Sequence, residues 1–141
     1  MTITEAEFSK LAEAARLGAS RAYCPYSRFR VGAAVLSGDG RIAWGGNVEN
    51  ASYGLTSCAE RNAVFRAVAD SERPMTIRAV VIYTPTPEPT APCGACRQVI
   101  NEFGPDAEIR AICDGPCVLS YRLHELLPVA FGPGNLAGPG A

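Results

Sequence analysis

Between Arg78 and Thr84 the chain reads RAVVIYT, an unbroken apolar run. No polar residue alternates with the apolar ones, so a strand built from it has no solvent face. It must be covered on both sides. Helical periodicity supplies the cover. Thr4 and Glu7 have the spacing of a capping box, and Phe8, Leu11, Ala12 and Ala15 follow at helical intervals, which predicts a helix over about 5–22. CPYS then breaks it. RVGAAVLSGDGRIAWGGNV predicts two strands about the turn Gly38-Asp39-Gly40. A second helix is expected from about Ser57 to Asp70, and a third from about Gly94 to Phe103, stopped by Gly104 and Pro105. AEIRAIC and PCVLSY read as further strands and RLHELLP as a short helix. This order predicts an α/β sandwich, a mostly central sheet with helices on its faces.

One domain is expected over residues 1–131, followed by a Gly/Pro-rich tail over 132–141 that reads as disordered. PTPEPTAP, with Pro85, Pro87, Pro89 and Pro92, has the composition of a stiff linker. It is no domain boundary if cysteines on its two sides share one metal. Net charge is -1 with no basic block, which disfavours a polynucleotide partner. Charged residues are 19%, below the roughly 25% usual for soluble chains. Part of the surface is therefore expected to be covered by self-association. The N-terminus has no apolar h-region and no run is long enough to span a membrane, so a cytoplasmic protein is expected. In that compartment the six cysteines favour metal binding over disulfides.

Cys93 and Cys96, in PCGACRQ, lie three apart at a predicted helix start and so share one face. A helix N-terminus favours thiolate over thiol. This alone suits a redox dithiol, half a structural zinc site or part of a catalytic one. SCAERNA adds Cys58 at a second helix start, with Ser57 as the expected N-cap. Three thiolates from two helix starts leave zinc one open position, and three protein ligands plus water is the catalytic pattern. Glu60, two residues past Cys58, could then exchange protons with that water. It could equally close a capping box with Ser57. Arg61 and Arg97 follow the ligand segments closely and are candidates to hydrogen-bond the thiolates and offset their charge. A rival set, Cys93, Cys96, Cys113 and Cys117, nearly fits a four-cysteine structural zinc module. It leaves Cys58 and Glu60 unexplained, and it uses Cys113, which sits at the end of a buried-looking strand.

CAE followed by PCGACRQ matches the ligand-x-Glu and Pro-Cys-x-x-Cys pattern of zinc deaminases. With PYSRFRVGAA, GGNVENASYGLTSCAERNA and ELLPVAF, the chain resembles the small, homotetrameric cytidine deaminases over nearly all of residues 5 to 131. The resemblance implies a three-layer α-β-α sandwich around a mixed sheet of about five strands. It implies one zinc per chain on Cys58, Cys93 and Cys96, with Glu60 as the proton shuttle. The implied reaction is hydrolytic deamination of cytidine and 2'-deoxycytidine to uridine and 2'-deoxyuridine, with loss of ammonia, in pyrimidine salvage. The backbone of Ala59 and Cys93 would help hold the pyrimidine. Asn47 and Glu49 would bind the ribose, although Asn47 is also a natural turn residue. Phe29 would stack on the base. Phe131, and also Tyr53, would come from a neighbouring subunit of a homotetramer with shared sites. A deaminase of blasticidin-type nucleoside antibiotics is the alternative within the enzyme reading. An intact NVEN is not expected there.

Overall fold

The computed structural model describes residues 2–72 and 74–137. Thr4 caps the first helix, α1 (Glu5–Ser20). Its hydroxyl accepts from Glu7 N at 3.1 Å, and the Glu7 carboxylate accepts from Thr4 N at 2.9 Å, so the capping box forms as expected. The hairpin strands β1 (Gly32–Ser37) and β2 (Ile42–Gly46) follow, then a 3-10 turn at Tyr53–Leu55. Next come α2 (Ala59–Asp70), β3 (Ile77–Tyr83), α3 (Gly94–Phe103) and β4 (Glu108–Ile112). The chain closes with β5 (Leu119–Arg122), α4 (Leu123–Leu126) and α5 (Pro133–Leu136).

The strands form one sheet in the order β2-β1-β3-β4-β5. β3 and β4 run parallel, joined by the crossover through α3, and the other pairs are antiparallel. The RAVVIYT run is the central strand, and it is covered on both faces. Ala79 and Val81 pack with Leu11 and Ala15 of α1. Val80 and Ile82 pack with Ala63 and Val64 of α2 and Ile100 of α3. Val80, Val81 and Ile82 are at most 1% exposed, and each contributes about 1.5–3 kcal/mol by leaving water. The result is the mixed, five-stranded, three-layer sandwich, with α1 on one face and α2 and α3 on the other.

Two glycines let helix and sheet approach closely. A Cβ on Gly45 would lie 2.7 Å from Ala63 N and 3.0 Å from Ala59 O, so the end of β2 rests directly on α2. A Cβ on Gly104 would meet Ile77 O at 2.6 Å. Gly104 therefore ends α3 because β3 is near, and its φ of -153 is extended rather than left-handed. The expected disordered tail begins instead with the helical turn Pro133–Leu136, where proline occupies a first-turn position. Residues 138–141 lie outside the described residues.

Candidate active site

The N-termini of α2 and α3 lie side by side on one face of the sheet. Cys58 is the N-cap of α2 and Cys93 the N-cap of α3, both in extended backbone conformation and neither using its side chain as a cap. Their thiols turn toward each other instead. The Cys58 and Cys93 sulfurs are 3.9 Å apart, the Cys93 and Cys96 sulfurs 3.5 Å, and all three lie within 4.8 Å of one another. These separations are far beyond the roughly 2.05 Å of a disulfide. They match the roughly 3.8 Å between two sulfurs that each sit about 2.3 Å from a tetrahedral zinc. Cys96 is buried, Cys58 half-buried and Cys93 exposed, so the cluster opens to one side. The donor set and the spacing fit zinc with one position left for a non-protein ligand.

The rival four-cysteine set does not assemble. Among the described residues the metal-competent group is Cys58, Cys93 and Cys96. The buried Cys113 sulfur points at the carbonyl oxygens of Pro87, Gly115 and Cys117, at 3.4 to 3.6 Å.

The capping role open to Glu60 does not form either. The helix begins one residue later than expected, so Cys58 and not Ser57 is the N-cap, and Glu60 is the second helical residue. The Ser57 hydroxyl donates to Asn62 Oδ1 at 2.7 Å. Glu60 is 5% exposed and lies against the cysteines. Burial raises its carboxyl above the ordinary value, and the nearby Cys58 thiolate adds to this, against a hydrogen bond from Cys96 that lowers it. The Cys58 thiol is lowered to about 5, first by its hydrogen bond with Cys96 and then by Arg61. Cys96 is pushed up by that same bond and by burial.

The two arginines separate. Arg61 Nη2 donates to Cys58 Sγ at 3.1 Å. Arg97 does not reach a sulfur. Its Nε donates to Pro92 O at 2.7 Å and its Nη1 to Leu126 O at 2.9 Å, which ties the start of α3 to α4.

Phe29, Asn47 and Glu49 are brought together by hydrogen bonds. Asn47 is buried. Its Nδ2 donates to Phe29 O at 2.8 Å and its Oδ1 accepts from Val31 N at 2.9 Å, so its amide fixes the Phe29 segment. The Glu49 carboxylate accepts from Tyr26 N at 2.9 Å, Ser27 N at 3.1 Å and the Ser27 hydroxyl. The Ser27 hydroxyl bond holds it below the usual carboxylate range, although burial opposes this, and the two backbone N–H bonds assist. Tyr26, Ser27, Glu49, Tyr53 and Thr56 line a cavity of about 250 Å³. Ala59, at the first position of α2, is fully buried. Tyr53 and Phe131 are exposed. The Phe131 carbonyl is held from α3 by Gln98 Nε2 at 2.8 Å and Asn101 Nδ2 at 3.4 Å. Ser27 lies within PYSRFRVGAA and Gln98 within PCGACRQ, but their roles, like that of Asn101, have no local signal, because their partners lie 22 to 33 residues away.

Such an arrangement, three thiols at two helix starts with a buried carboxylate beside them, defines a zinc-dependent hydrolytic site. The model for the "cytidine and deoxycytidylate deaminase zinc-binding region" matches residues 6–112, and the chain belongs to that family of zinc deaminases. It is 47% identical over 141 residues to a cytidine deaminase of Sporosarcina psychrophila, covering 93% of this chain and 96% of that one. It is 50% identical over 111 residues to one of Halalkalibacterium halodurans, covering 78% and 83%. The crystal structure of cytidine deaminase from Burkholderia pseudomallei superposes with a TM-score of 0.83 at 45% identity, over 92% of this chain and all of that one.

Proposed function

We propose that this chain catalyses hydrolytic deamination of cytidine and 2'-deoxycytidine, releasing ammonia, in pyrimidine salvage. The observation that carries the reading is the convergence of Cys58, Cys93 and Cys96 beside the buried Glu60, in a chain whose relatives are named cytidine deaminases. When bound, zinc supplies Lewis acidity that makes water a competent nucleophile near neutral pH. Glu60 takes a proton from that water on a carboxylate oxygen. It would deliver that proton to the ring nitrogen beside the reacting carbon, and would then pass a second proton, from the hydroxyl added to that carbon, to the departing amine. Its raised pKa suits a group that must hold a proton and release it again. Arg61 offsets the thiolate charge through Cys58. The backbone at Ala59 and Cys93 holds the pyrimidine, and Phe29 stacks on it. Glu49 and Asn47 face the sugar, where a carboxylate accepts from hydroxyl donors.

The assembly proposed is a homotetramer with sites shared between subunits, in the cytoplasm. Tyr26, Val48, Tyr53, Leu55 and Phe131 are large apolar or aromatic residues left exposed on the chain, and an interface between copies would cover them. In that assembly Phe131 and Tyr53 close the site of a neighbour. No helix among the described residues is long and apolar enough to cross a membrane. An ultraviolet assay on cytidine, deoxycytidine and blasticidin S tests the function. Loss of cytidine absorbance with equimolar ammonia is the expected result. Inactivity of the zinc-loaded chain on both nucleosides would overturn it, and turnover of blasticidin S alone would transfer the assignment to the antibiotic.

A further inference from the structure

We propose that Asn62 is a positioning residue. Its side-chain amide braces the start of the zinc-bearing helix α2 against the end of β2, holding Cys58 at a set distance from the Asn47 segment. The proposal rests on the reading of the site as a nucleoside deaminase, with the metal on one limb and the sugar contacts on the other.

The geometry is specific. Asn62 Oδ1 accepts from the Ser57 hydroxyl at 2.7 Å, and Nδ2 donates to Gly46 O at 2.8 Å, with a longer contact to Ser57 O at 3.4 Å. The amide orientation follows from chemistry, because a carbonyl oxygen can only accept and therefore must face the NH₂. Ser57 immediately precedes the ligand Cys58, and Gly46 immediately precedes Asn47. One side chain thus grips the residue before a metal ligand and the residue before the amide that fixes Phe29. A second connection runs beside it: Val48 N donates to Ser57 O, and Ser57 N donates to Val48 O, each at 2.9 Å. The brace is possible only because Gly45 lets β2 lie directly on α2. A merely helical role explains asparagine poorly here, since it is a weaker helix former than alanine. Truncation to alanine favours the helix while leaving Gly46 O without its side-chain donor and the Ser57 hydroxyl without its acceptor. That separates loss of the brace from loss of the fold.

The experiment compares the zinc-loaded parent with Asn62→Ala, Asn62→Asp and Ser57→Ala. It reads KM and kcat for cytidine, the rate of zinc release to a chromophoric chelator, and amide exchange at Val48 and Ser57. Asn62→Ala is expected to raise KM and speed zinc release about tenfold each, equivalent to one lost hydrogen bond of about 1.4 kcal/mol. Exchange at Val48 and Ser57 accelerates with it. Asn62→Asp keeps the acceptor for Ser57 but loses the donor to Gly46 O, so it reproduces the KM effect. The Asn62→Ala and Ser57→Ala effects on zinc release are expected to be non-additive, because both remove one shared bond. KM and zinc release both within about twofold of the parent, at any thermal midpoint, would show a purely structural asparagine and overturn the proposal. If Asn62→Ala does not fold, Asn62→Asp and Ser57→Ala decide by the same readouts. If the parent itself fails to deaminate cytidine, the functional reading falls, and zinc release and amide exchange still decide the brace.

Discussion

Removing the Arg61 guanidinium tests how the thiolate charge is carried. Three thiolates within 4.8 Å of one another repel, and each must stay deprotonated to hold zinc. Arg61 is the neighbour that answers this charge, through its 3.1 Å bond to Cys58. Its own pKa is raised, chiefly by that bond. A hydrogen bond to a charged partner contributes about 1.5–3 kcal/mol when partly shielded from water. At about 1.4 kcal/mol per tenfold, Arg61→Ala is expected to weaken zinc binding by about 10- to 100-fold. Arg61→Lys keeps the charge but not the planar fork, and should fall between parent and alanine variant. Competition with a chromophoric chelator at fixed pH measures this directly, with circular dichroism to confirm the fold. Zinc affinity of Arg61→Ala equal to the parent's would refute the argument. It would return Arg61 to an ordinary half-buried arginine.

Three further outcomes follow from named contacts. Glu60→Gln should keep zinc, as judged by metal analysis, and lose about 10²–10⁴-fold in turnover, because the amide cannot shuttle a proton. Gly45→Ala should cost about 1–3 kcal/mol in urea unfolding, since its Cβ would press on the α2 backbone at Ala63 N, 2.7 Å away. Burial would raise the Glu108 carboxyl, but Ile3 N at 3.0 Å and Arg110 at 2.9 Å hold it below its ordinary value. With the folded pKa depressed, its stabilisation is complete above the unfolded value near 4.5 and is lost as pH falls through the folded value. Glu108→Gln should therefore be less stable than the parent at pH 7, by about 1–3 kcal/mol, and the urea-midpoint gap should close in acid.

Much of this site was legible because its signals are local. The central strand is a seven-residue run, and the ligand set is two short segments whose residue types leave little freedom. The features that were not legible depend on tertiary contacts. The Ser57–Glu60 capping box that the spacing allows does not form, because Asn62, five residues on, takes the Ser57 hydroxyl and the helix starts one residue later. Arg97 looked equivalent to Arg61 by spacing, yet α4 offers it the Leu126 carbonyl. Asn62 lies within SCAERNA, but its role has no local signal, because its partner Gly46 is on another element. Gly104 ends α3 as the sequence predicts, and the close approach of Ile77 O that requires a glycine there is a tertiary contact with no local signal. The short tail helix escaped because Pro133 and Gly134 look like breakers, whereas proline is well suited to a first turn.

Hydrolysis at this site depends on zinc held by three cysteines with the fourth position left to a non-protein ligand. X-ray absorption at the zinc edge of the loaded chain measures that shell. Three sulfurs at about 2.3 Å and one oxygen or nitrogen at about 2.0–2.2 Å are the expected result. Four sulfurs would contradict it, by showing a closed structural site with no position for the water that the reaction consumes.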